Sequence, residues 1–234
     1  MNLILLFDDD FATESRVVLS GRRAEHMREI HRAAAGDELI VGRAGGRIGS
    51  GRVLRITDEI EMEVVFDRDP PPALDMTVVM ALPRPKVLNR AVAAVTSLGI
   101  KRIFLINAWR VEKSYWRSPR LSEENLRAQA IIGLEQARDT ILPRIETRRL
   151  FRPFVEEELP SVMADTIALA AHPYASEECP RNIGGPITLA IGPEGGFIDK
   201  EIDSLTRIGF RPVTMGPRIL RVETAIAALT GRVS

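Results

Sequence analysis

The feature that most constrains the fold of this chain is a short apolar segment followed by a glycine-rich loop and a helix. Residues 187–191 are Ile-Thr-Leu-Ala-Ile, the loop is Gly192-Pro-Glu-Gly-Gly196, and Asp199 and Gly209 supply helix start and stop signals. A strand that leads through a tight loop into a helix is the repeating unit of α/β proteins, which bind ligands at the carboxyl ends of their strands. The sequence therefore predicts an α/β domain with a ligand site at this loop.

The alternation of strands and helices extends over residues 73–234. Predicted strands lie at residues 76–82, 102–107, 145–150, 166–170, 187–191 and 212–215, and predicted helices at 86–98, 122–138, 199–208 and from residue 222 onward. This pattern predicts a parallel sheet with helices on both faces. Three successive prolines, Pro70 to Pro72, favour a stiff extended linker, so we place a boundary between a domain of residues 1–72 and a domain of residues 73–234.

Residues 1–72 have a different pattern, in which short strands surround one helix. Strands are predicted at residues 2–7, 38–43, 47–56 and 60–68, and the helix at residues 21–35. Such a pattern is typical of a small barrel-like β domain.

The charge of the chain is unevenly distributed although its net value is zero. Residues 84–152 contain 15 Lys and Arg against 6 Asp and Glu, whereas residues 1–72 contain 10 against 14 and residues 153–234 contain 7 against 11. Arginine predominates in the basic middle segment, and its guanidinium group pairs with phosphate and stacks on bases. This favours a polyanionic partner; the alternative is that the charges only solvate helix faces.

Composition disfavours several classes of protein. Cys179 is the single cysteine, which rules out an internal disulfide, and with only His26, His31 and His172 no zinc-type ligand set is expected. The apolar run at residues 3–7 is too short for a signal peptide, and no stretch approaches the roughly 20 apolar residues that span a bilayer. We therefore expect a cytoplasmic protein without a metal or a membrane segment.

Two glycine-rich loops are the strongest indication of a ligand. Residues 192–196 lack the Lys-Ser/Thr of a P-loop and the three-glycine dinucleotide fingerprint, so neither ATP nor NAD is favoured. Met215-Gly-Pro-Arg-Ile-Leu-Arg-Val-Glu-Thr-Ala225 provides a second loop one helix length later. Glycine lets a ligand approach the main chain, so a cofactor pocket made of backbone is predicted; a tight turn that only requires positive φ is the alternative.

As a pair, residues 191–197 and 216–225 resemble motifs of the bacterial 16S ribosomal RNA uridine-N3 methyltransferases of the RsmE type, in the SPOUT superfamily. The resemblance is weaker over the rest of the chain. It implies an N-terminal PUA-like β-barrel that contacts RNA, and a C-terminal α/β domain whose last segments form a trefoil knot that binds S-adenosylmethionine. It also implies a homodimer with the catalytic site near the subunit interface.

The resemblance implies that three loops hold the cofactor and that main-chain groups bind its adenine. Ile191, Met215, Ile219 and Leu220 would supply the apolar walls, although each has a simple core role as its alternative. The implied cofactor-binding residues are Ala171, His172, Pro173, Ile191, Gly192, Pro193, Glu194, Gly195, Gly196, Met215, Gly216, Ile219 and Leu220.

Catalysis on uridine would require a proton transfer, because N3 carries a proton that must leave before or as the nitrogen attacks the sulfonium methyl group. We expect Arg221 to stabilise the uracil anion, and Glu223 or Glu194 to accept the proton directly or through water. The alternative is that Arg221 and Glu223 form an ion pair that anchors the last helix.

The substrate side is less well defined. RNA contacts are expected at Arg22, Arg23, Arg84, Lys86, Arg90, Arg110 and Arg138. Residues 96–99 (Thr-Ser-Leu-Gly) and 135–139 (Glu-Gln-Ala-Arg-Asp) depart from the family's Glu-Leu-Gly and Glu-Gln-Ser-Gly-Arg-like segments, which leaves the target nucleotide open. Residues 114–117 (Ser-Tyr-Trp-Arg) and Trp109 can stack on an exposed base, or they can be packing residues.

The predicted function is transfer of a methyl group from S-adenosylmethionine to uridine N3 in small-subunit ribosomal RNA. One alternative keeps the cofactor and changes the target to a ribose 2′-hydroxyl or another RNA site. A second alternative, from a different class, is a non-catalytic RNA-binding or ribosome-assembly protein.

Overall fold

The computed structural model describes residues 2–29 and 33–234, and does not describe the side chains of Arg22 and His26. The chain divides into two compact units, of which the first contains Met1–Pro72 and Leu134–Leu142 and the second Ala73–Gly133 and Pro143–Ser234. The sequence pattern assigned residues 134–142 to the second domain. They belong with the first unit because, for example, Gly45 N–H donates a hydrogen bond to the carbonyl of Thr140 (2.8 Å).

The first unit contains a curled six-stranded sheet, in the strand order β1-β4-β5-β6-β3-β2. Its elements are β1 (Ile4–Leu6), β2 (Phe11–Thr13), β3 (Arg16–Leu19), α1 (Gly21–Glu29), β4 (Glu38–Arg43), β5 (Ile48–Ile56) and β6 (Ile60–Arg68). Among the strands described in this unit, β1 and β4 pair in parallel and the other pairs are antiparallel.

Side-chain alternation explains the core of this unit. Along β6, Ile60, Met62 and Val64 are buried, while Glu63 between two of them is exposed, as expected for a strand with one face on a core. The sequence prediction missed the hairpin β2–β3, whose strands have three and four residues. It also extended the helix to residue 35: residues 33–35 are not helical, and residues 30–32 lie outside the described residues.

The second unit is built on a six-stranded sheet in the order β12-β10-β11-β7-β8-β9, and every pair in it is parallel. Its strands are β7 (Leu74–Ala81), β8 (Ile100–Ile106), β9 (Arg144–Arg148), β10 (Ile167–Ala171), β11 (Ile187–Ile191) and β12 (Arg211–Val213). Its helices are α2 (Pro85–Ser97), α3 (Glu123–Ala137), α4 (Phe151–Pro153), α5 (Leu159–Val162), α6 (Asp199–Arg207) and α7 (Val222–Val233).

The predicted α/β class is confirmed, with each predicted strand and helix of the second domain present within a few residues. The sequence prediction missed α4 and α5, which a π-helical turn at Phe154–Glu158 joins. Helix α2 buries Leu88, Ala91, Val92 and Val95, which have the spacing of one helix face. The trefoil knot stays a prediction from the family resemblance.

Candidate active site

Three neighbouring strands of the parallel sheet end at one place. Ala171 at the end of β10 is in register with Ile191 of β11 on one side and with Val213 of β12 on the other. Because carboxyl ends of parallel strands share one edge of a sheet, the loops that follow these strands meet there. The three loops singled out from the sequence are therefore brought together by strand order, although about twenty residues separate each from the next.

The loop after β11 is a tight turn in which glycine is required at two positions for different reasons. A Cβ on Gly192 would lie 2.7 Å from the backbone nitrogen of Phe197, closer than side-chain carbons approach the main chain. Gly196 has φ of +72°, in the left-handed region that glycine favours, and its N–H donates to the carbonyl of Pro193 (2.7 Å). The main chain of this loop thus turns back on itself without side chains in between.

The loop after β12 is tied to the loop after β10. The hydroxyl of Thr214 donates to the carbonyl of Pro173 (3.2 Å) and accepts a hydrogen bond from Gly216 N–H (3.2 Å). Gly216 has φ of +100°, so this turn also depends on glycine. Nothing in the sequence indicated this role of Thr214, because a threonine after a short strand has no distinctive pattern.

The three loops and helix α7 enclose a cleft with mostly apolar walls. Eleven of the thirteen predicted cofactor-binding residues line it; Gly195 and Gly216 do not. Sequence analysis missed six lining residues, of which three come from the apolar face of α7: Val213, Thr214, Arg218, Val222, Ala225 and Leu229. Periodicity along α7 could have indicated those three, because they are spaced three and four residues apart.

Some polar groups of the cleft loops have no hydrogen-bond partner among the described residues, which is the property expected of a cofactor site. The Nδ1 atom of His172 is buried and has no hydrogen-bond partner in the described part of the chain. Among the described residues, none accepts a hydrogen bond from the backbone N–H groups of Ile219 and Leu220. Buried or enclosed polar groups are normally paired, so apolar walls with a few open donors and acceptors fit an adenosine-containing cofactor.

Of the three predicted catalytic residues, Arg221 is the least constrained. It is exposed, lies immediately before α7, and within residues 2–29 and 33–234 its guanidinium group makes no ion pair. The alternative pairing of Arg221 with Glu223 is wrong: Glu223 pairs instead with Arg90 of α2, at 3.2 Å. Arg90 was predicted to bind RNA, and its charge is partly balanced by this carboxylate.

Glu194 has a structural contact that the sequence did not indicate. Its Oε1 atom accepts a hydrogen bond from the backbone N–H of Arg84 (2.9 Å), the residue that precedes α2. A carboxylate at a helix N-terminus interacts favourably with the helix dipole. Glu194 also lines the cleft, whereas Glu223 and Arg221 do not, although Arg221 lies between the lining residues Leu220 and Val222.

Two further polar residues, Glu112 and Tyr115, lie near Arg84 at the start of α2. The hydroxyl of Tyr115 donates to Oε1 of Glu112 (3.0 Å). Burial and this hydrogen bond raise the pKa of Tyr115 above its usual value, and the nearby Arg84 opposes the shift. Arg84 thus interacts with the Tyr115 phenol through its side chain and with the cleft residue Glu194 through its backbone N–H.

The other predicted RNA contacts differ in their surroundings. Arg23 forms an ion pair with the buried carboxylate of Asp10 (2.8 Å) and donates to the backbone carbonyl of Leu5, and its contact with RNA stays a prediction. Arg110 donates to the carbonyl of Gly195 beside the cleft, while Lys86 is exposed. Arg138 is exposed in the first unit, and the side chain of Arg22 lies outside the description.

Among the described residues, no three His, Cys, Asp or Glu side chains are grouped so that they could hold a metal ion. In the same part of the chain, no helix has the length and apolar character needed to cross a membrane.

Comparison with known proteins places this chain in a family. The profile of a family described as an RNA methyltransferase domain matches residues 70–234. Ribosomal RNA small subunit methyltransferase E of Treponema pallidum is 30% identical over 235 residues, which cover 96% of this chain and 88% of that protein. The protein of the same name from Mycobacterium tuberculosis is 27% identical and covers 94% of this chain, which spans 87% of it.

Solved structures agree on the fold. Ribosomal RNA small subunit methyltransferase E from Neisseria gonorrhoeae, bound to S-adenosyl methionine, superposes with a TM-score of 0.73 at 20% identity and covers 98% of this chain and 95% of its own. A predicted RNA methyltransferase from Thermotoga maritima superposes with a TM-score of 0.68 at 21% identity and covers 99% and 96%. The second unit is therefore an RNA methyltransferase domain with a SPOUT-type fold. The chain itself belongs to the ribosomal RNA small subunit methyltransferase E family.

Proposed function

We propose that this protein transfers a methyl group from S-adenosylmethionine to N3 of a uridine in 16S ribosomal RNA. Family membership supports the reaction class, and the cleft carries the proposal for this chain. Its walls are apolar, and its unpaired polar groups include the backbone N–H groups of Ile219 and Leu220 and the buried Nδ1 atom of His172, which suits a ligand with both an aromatic base and polar edges.

The cleft residues align the methyl donor with the uridine. When bound, S-adenosylmethionine supplies an electrophilic methyl group on its sulfonium centre. Ile191, Met215, Ile219 and Leu220 provide apolar surface on opposite loops, and the backbone N–H groups of the last two are open for hydrogen bonding. Holding two reactants in line lowers the barrier by about 7 kcal/mol or more, so the site needs little beyond alignment and one well-placed charge.

Arg221 supplies that charge. Loss of the N3 proton leaves a negative charge on the uracil ring, which a guanidinium group stabilises. Arg221 lies at the N-terminus of α7, where the helix dipole adds positive potential, and no carboxylate among the described residues neutralises it.

Glu194 is the proton acceptor that the geometry favours. It lines the cleft, and the hydrogen bond from Arg84 engages only its Oε1 atom, which fixes the carboxylate and leaves the second oxygen to take the proton. Glu223 lies outside the cleft lining and is paired with Arg90, so it is the weaker candidate.

The protein acts as a cytoplasmic homodimer that needs no metal. Exposed apolar side chains beside the cleft support the dimer, since Tyr174 and Ile219 are 79% and 68% exposed in a single chain. The described residues offer no ligand cluster for a metal, and the proposed chemistry requires none.

Mass spectrometry of digested ribosomal RNA tests the reaction directly. We expect 16S RNA from a strain lacking this gene to lose N3-methyluridine and to regain it when the gene is restored. Persistence of that nucleoside, or loss of a 2′-O-methylated nucleoside instead, would remove the proposal. Calorimetry with S-adenosylmethionine separates the assembly-factor alternative, which predicts no heat of binding.

A further inference from the structure

A second depression lies at the same edge of the parallel sheet, beyond the ends of β8 and β9. It is lined by residues from 107–117, 149–152 and 198–207, the last of which contains α6, and its volume is about 1040 Å³. We call it the tryptophan groove, after Trp109 and Trp116 in its lining. It shares no lining residue with the cleft described above.

The tryptophan groove is strongly basic. Six cations line it: Lys113, Arg117, Arg149, Arg152, Lys200 and Arg207. Within the described chain only Arg152 forms an ion pair, with Glu156 at 3.2 Å. Of the two lining carboxylates, Asp203 is exposed and Glu201 is buried, so the exposed acidic charge is far too small to balance the cations.

The two tryptophans differ in a way that suits base stacking. The indole N–H of Trp116 donates to Oδ1 of Asn107 (2.9 Å), and the Arg149 guanidinium lies 5.6 Å from its ring centre. Trp116 is thereby fixed as a wall of the groove. Trp109 is 79% exposed, yet its backbone N–H donates to Glu201 Oε1 (2.7 Å), so a firmly held main chain presents an uncovered indole ring.

Glu201 also connects the groove to the loop of the cleft. While Oε1 holds Trp109, its Oε2 accepts the backbone N–H of Ile198 (3.0 Å), which follows the glycine-rich loop. Arg110, next to Trp109, donates to the carbonyl of Gly195 in that loop. Two sets of hydrogen bonds therefore connect the segment Trp109-Arg110 to the glycine-rich loop of the cleft and the residue that follows it.

We propose that the tryptophan groove binds single-stranded RNA beside the cleft, with a nucleobase stacked on Trp109 and phosphates on the surrounding cations. The inference rests on the proposed ribosomal RNA substrate and adds the surface that holds the nucleotides flanking the target. Cations of which all but Arg152 lack a carboxylate partner among the described residues, next to an exposed aromatic ring, match the requirements of single-stranded nucleic acid. A second copy of the chain is the competing occupant, but a two-fold interface would place these like charges against each other.

Fluorescence anisotropy with a labelled oligouridylate tests the groove. For Trp109→Ala we expect affinity to fall at least about fivefold, and for Trp109→Phe to stay near the wild-type value, because any aromatic face can stack. Arg117→Gln should lower the log–log salt slope by about 0.7, whereas the control Arg181→Gln, an exposed arginine outside the groove, should leave it unchanged. Calorimetry should show the same affinity for S-adenosylmethionine in all four variants.

The outcomes separate the two proposals. Equal oligouridylate affinity in wild type and Trp109→Ala, or equal salt slopes in Arg117→Gln and Arg181→Gln, would overturn the groove while leaving the methyltransferase function in place. A shift of Trp109→Ala from dimer to monomer in sedimentation would assign the surface to a second copy and also overturn it. Absence of S-adenosylmethionine binding in the wild type would instead strike the proposed function.

Discussion

The cleft and the tryptophan groove lie along one edge of the same sheet and are built by opposite means. The cleft follows β10, β11 and β12 and depends on main-chain geometry, with glycines at positions where a Cβ has no room or φ is positive. The groove follows β8 and β9 and depends on long side chains, an exposed indole and a surplus of cations. A cofactor of fixed shape needs the first kind of surface, and a flexible polyanion with variable bases is bound by the second.

The largest effect should come from a side chain added to the main-chain turn of the cleft. Gly192→Val would drive its Cβ against the backbone of Phe197, so the loop must move and the cleft with it. Overpacking costs about 1–3 kcal/mol, and we expect affinity for S-adenosylmethionine to fall by up to about 100-fold in calorimetry.

Gly184→Ala is the matched control, because a Cβ there meets no atom within 4 Å and φ is not positive. Its cofactor affinity should equal that of the wild type. Cofactor affinity retained by Gly192→Val would mean that the turn is not part of the cofactor site. The contrast between a cleft built from main chain and a tryptophan groove built from side chains would then not hold.

Removing the exposed charge at the start of α7 should act on rate alone. For Arg221→Gln we expect kcat to fall about 100-fold, as for loss of one donor to a developing anion, with unchanged affinity for S-adenosylmethionine. Arg221→Lys should recover part of the rate. Unfolding temperature should not change, since this exposed side chain makes no hydrogen bond or ion pair with other described residues. A normal kcat in Arg221→Gln would exclude the proposed role.

The two candidate proton acceptors can be told apart by paired amide substitutions. Glu194→Gln keeps an oxygen for the Arg84 N–H but cannot take a proton, so kcat should fall at least about tenfold without loss of stability. Glu223→Gln should leave kcat within about twofold and remove the exposed ion pair with Arg90, which is worth at most about 1 kcal/mol of stability. The reverse ranking of the two kcat values would assign the proton transfer to Glu223.

Local patterns in the sequence predicted the second unit and most of its cleft. The strand at residues 187–191 and the glycines of residues 192–196 can each be recognised from a few consecutive residues. Strand order at the sheet edge then brings the three loops together. By contrast, the hairpin β2–β3 was not predicted, because strands of three or four residues are too short to show an alternating pattern.

Contacts between distant residues could not be predicted in the same way. Glu194 meets Arg84 across 110 residues, and Glu223 has Arg90 rather than its neighbour Arg221 as a partner. Which charge pairs with which depends on the elements that become neighbours in the sheet and on its faces. The tryptophan groove has the same origin, because three separate stretches of sequence contribute its cations.

The smallest effect should come from the glycine that lies between the two surfaces. A Cβ on Gly195 would lie 2.8 Å from the Arg110 side chain, which can swing away, whereas the neighbour of Gly192 is rigid backbone. Gly195→Val should therefore keep the fold and weaken S-adenosylmethionine binding only about threefold, the cost of losing the hydrogen bond from Arg110 to the Gly195 carbonyl. Arg110→Ala should weaken binding by a similar amount, and the double variant by no more than either one. Additive losses would show that Gly195 contacts the cofactor itself, and the cleft would then extend toward the tryptophan groove.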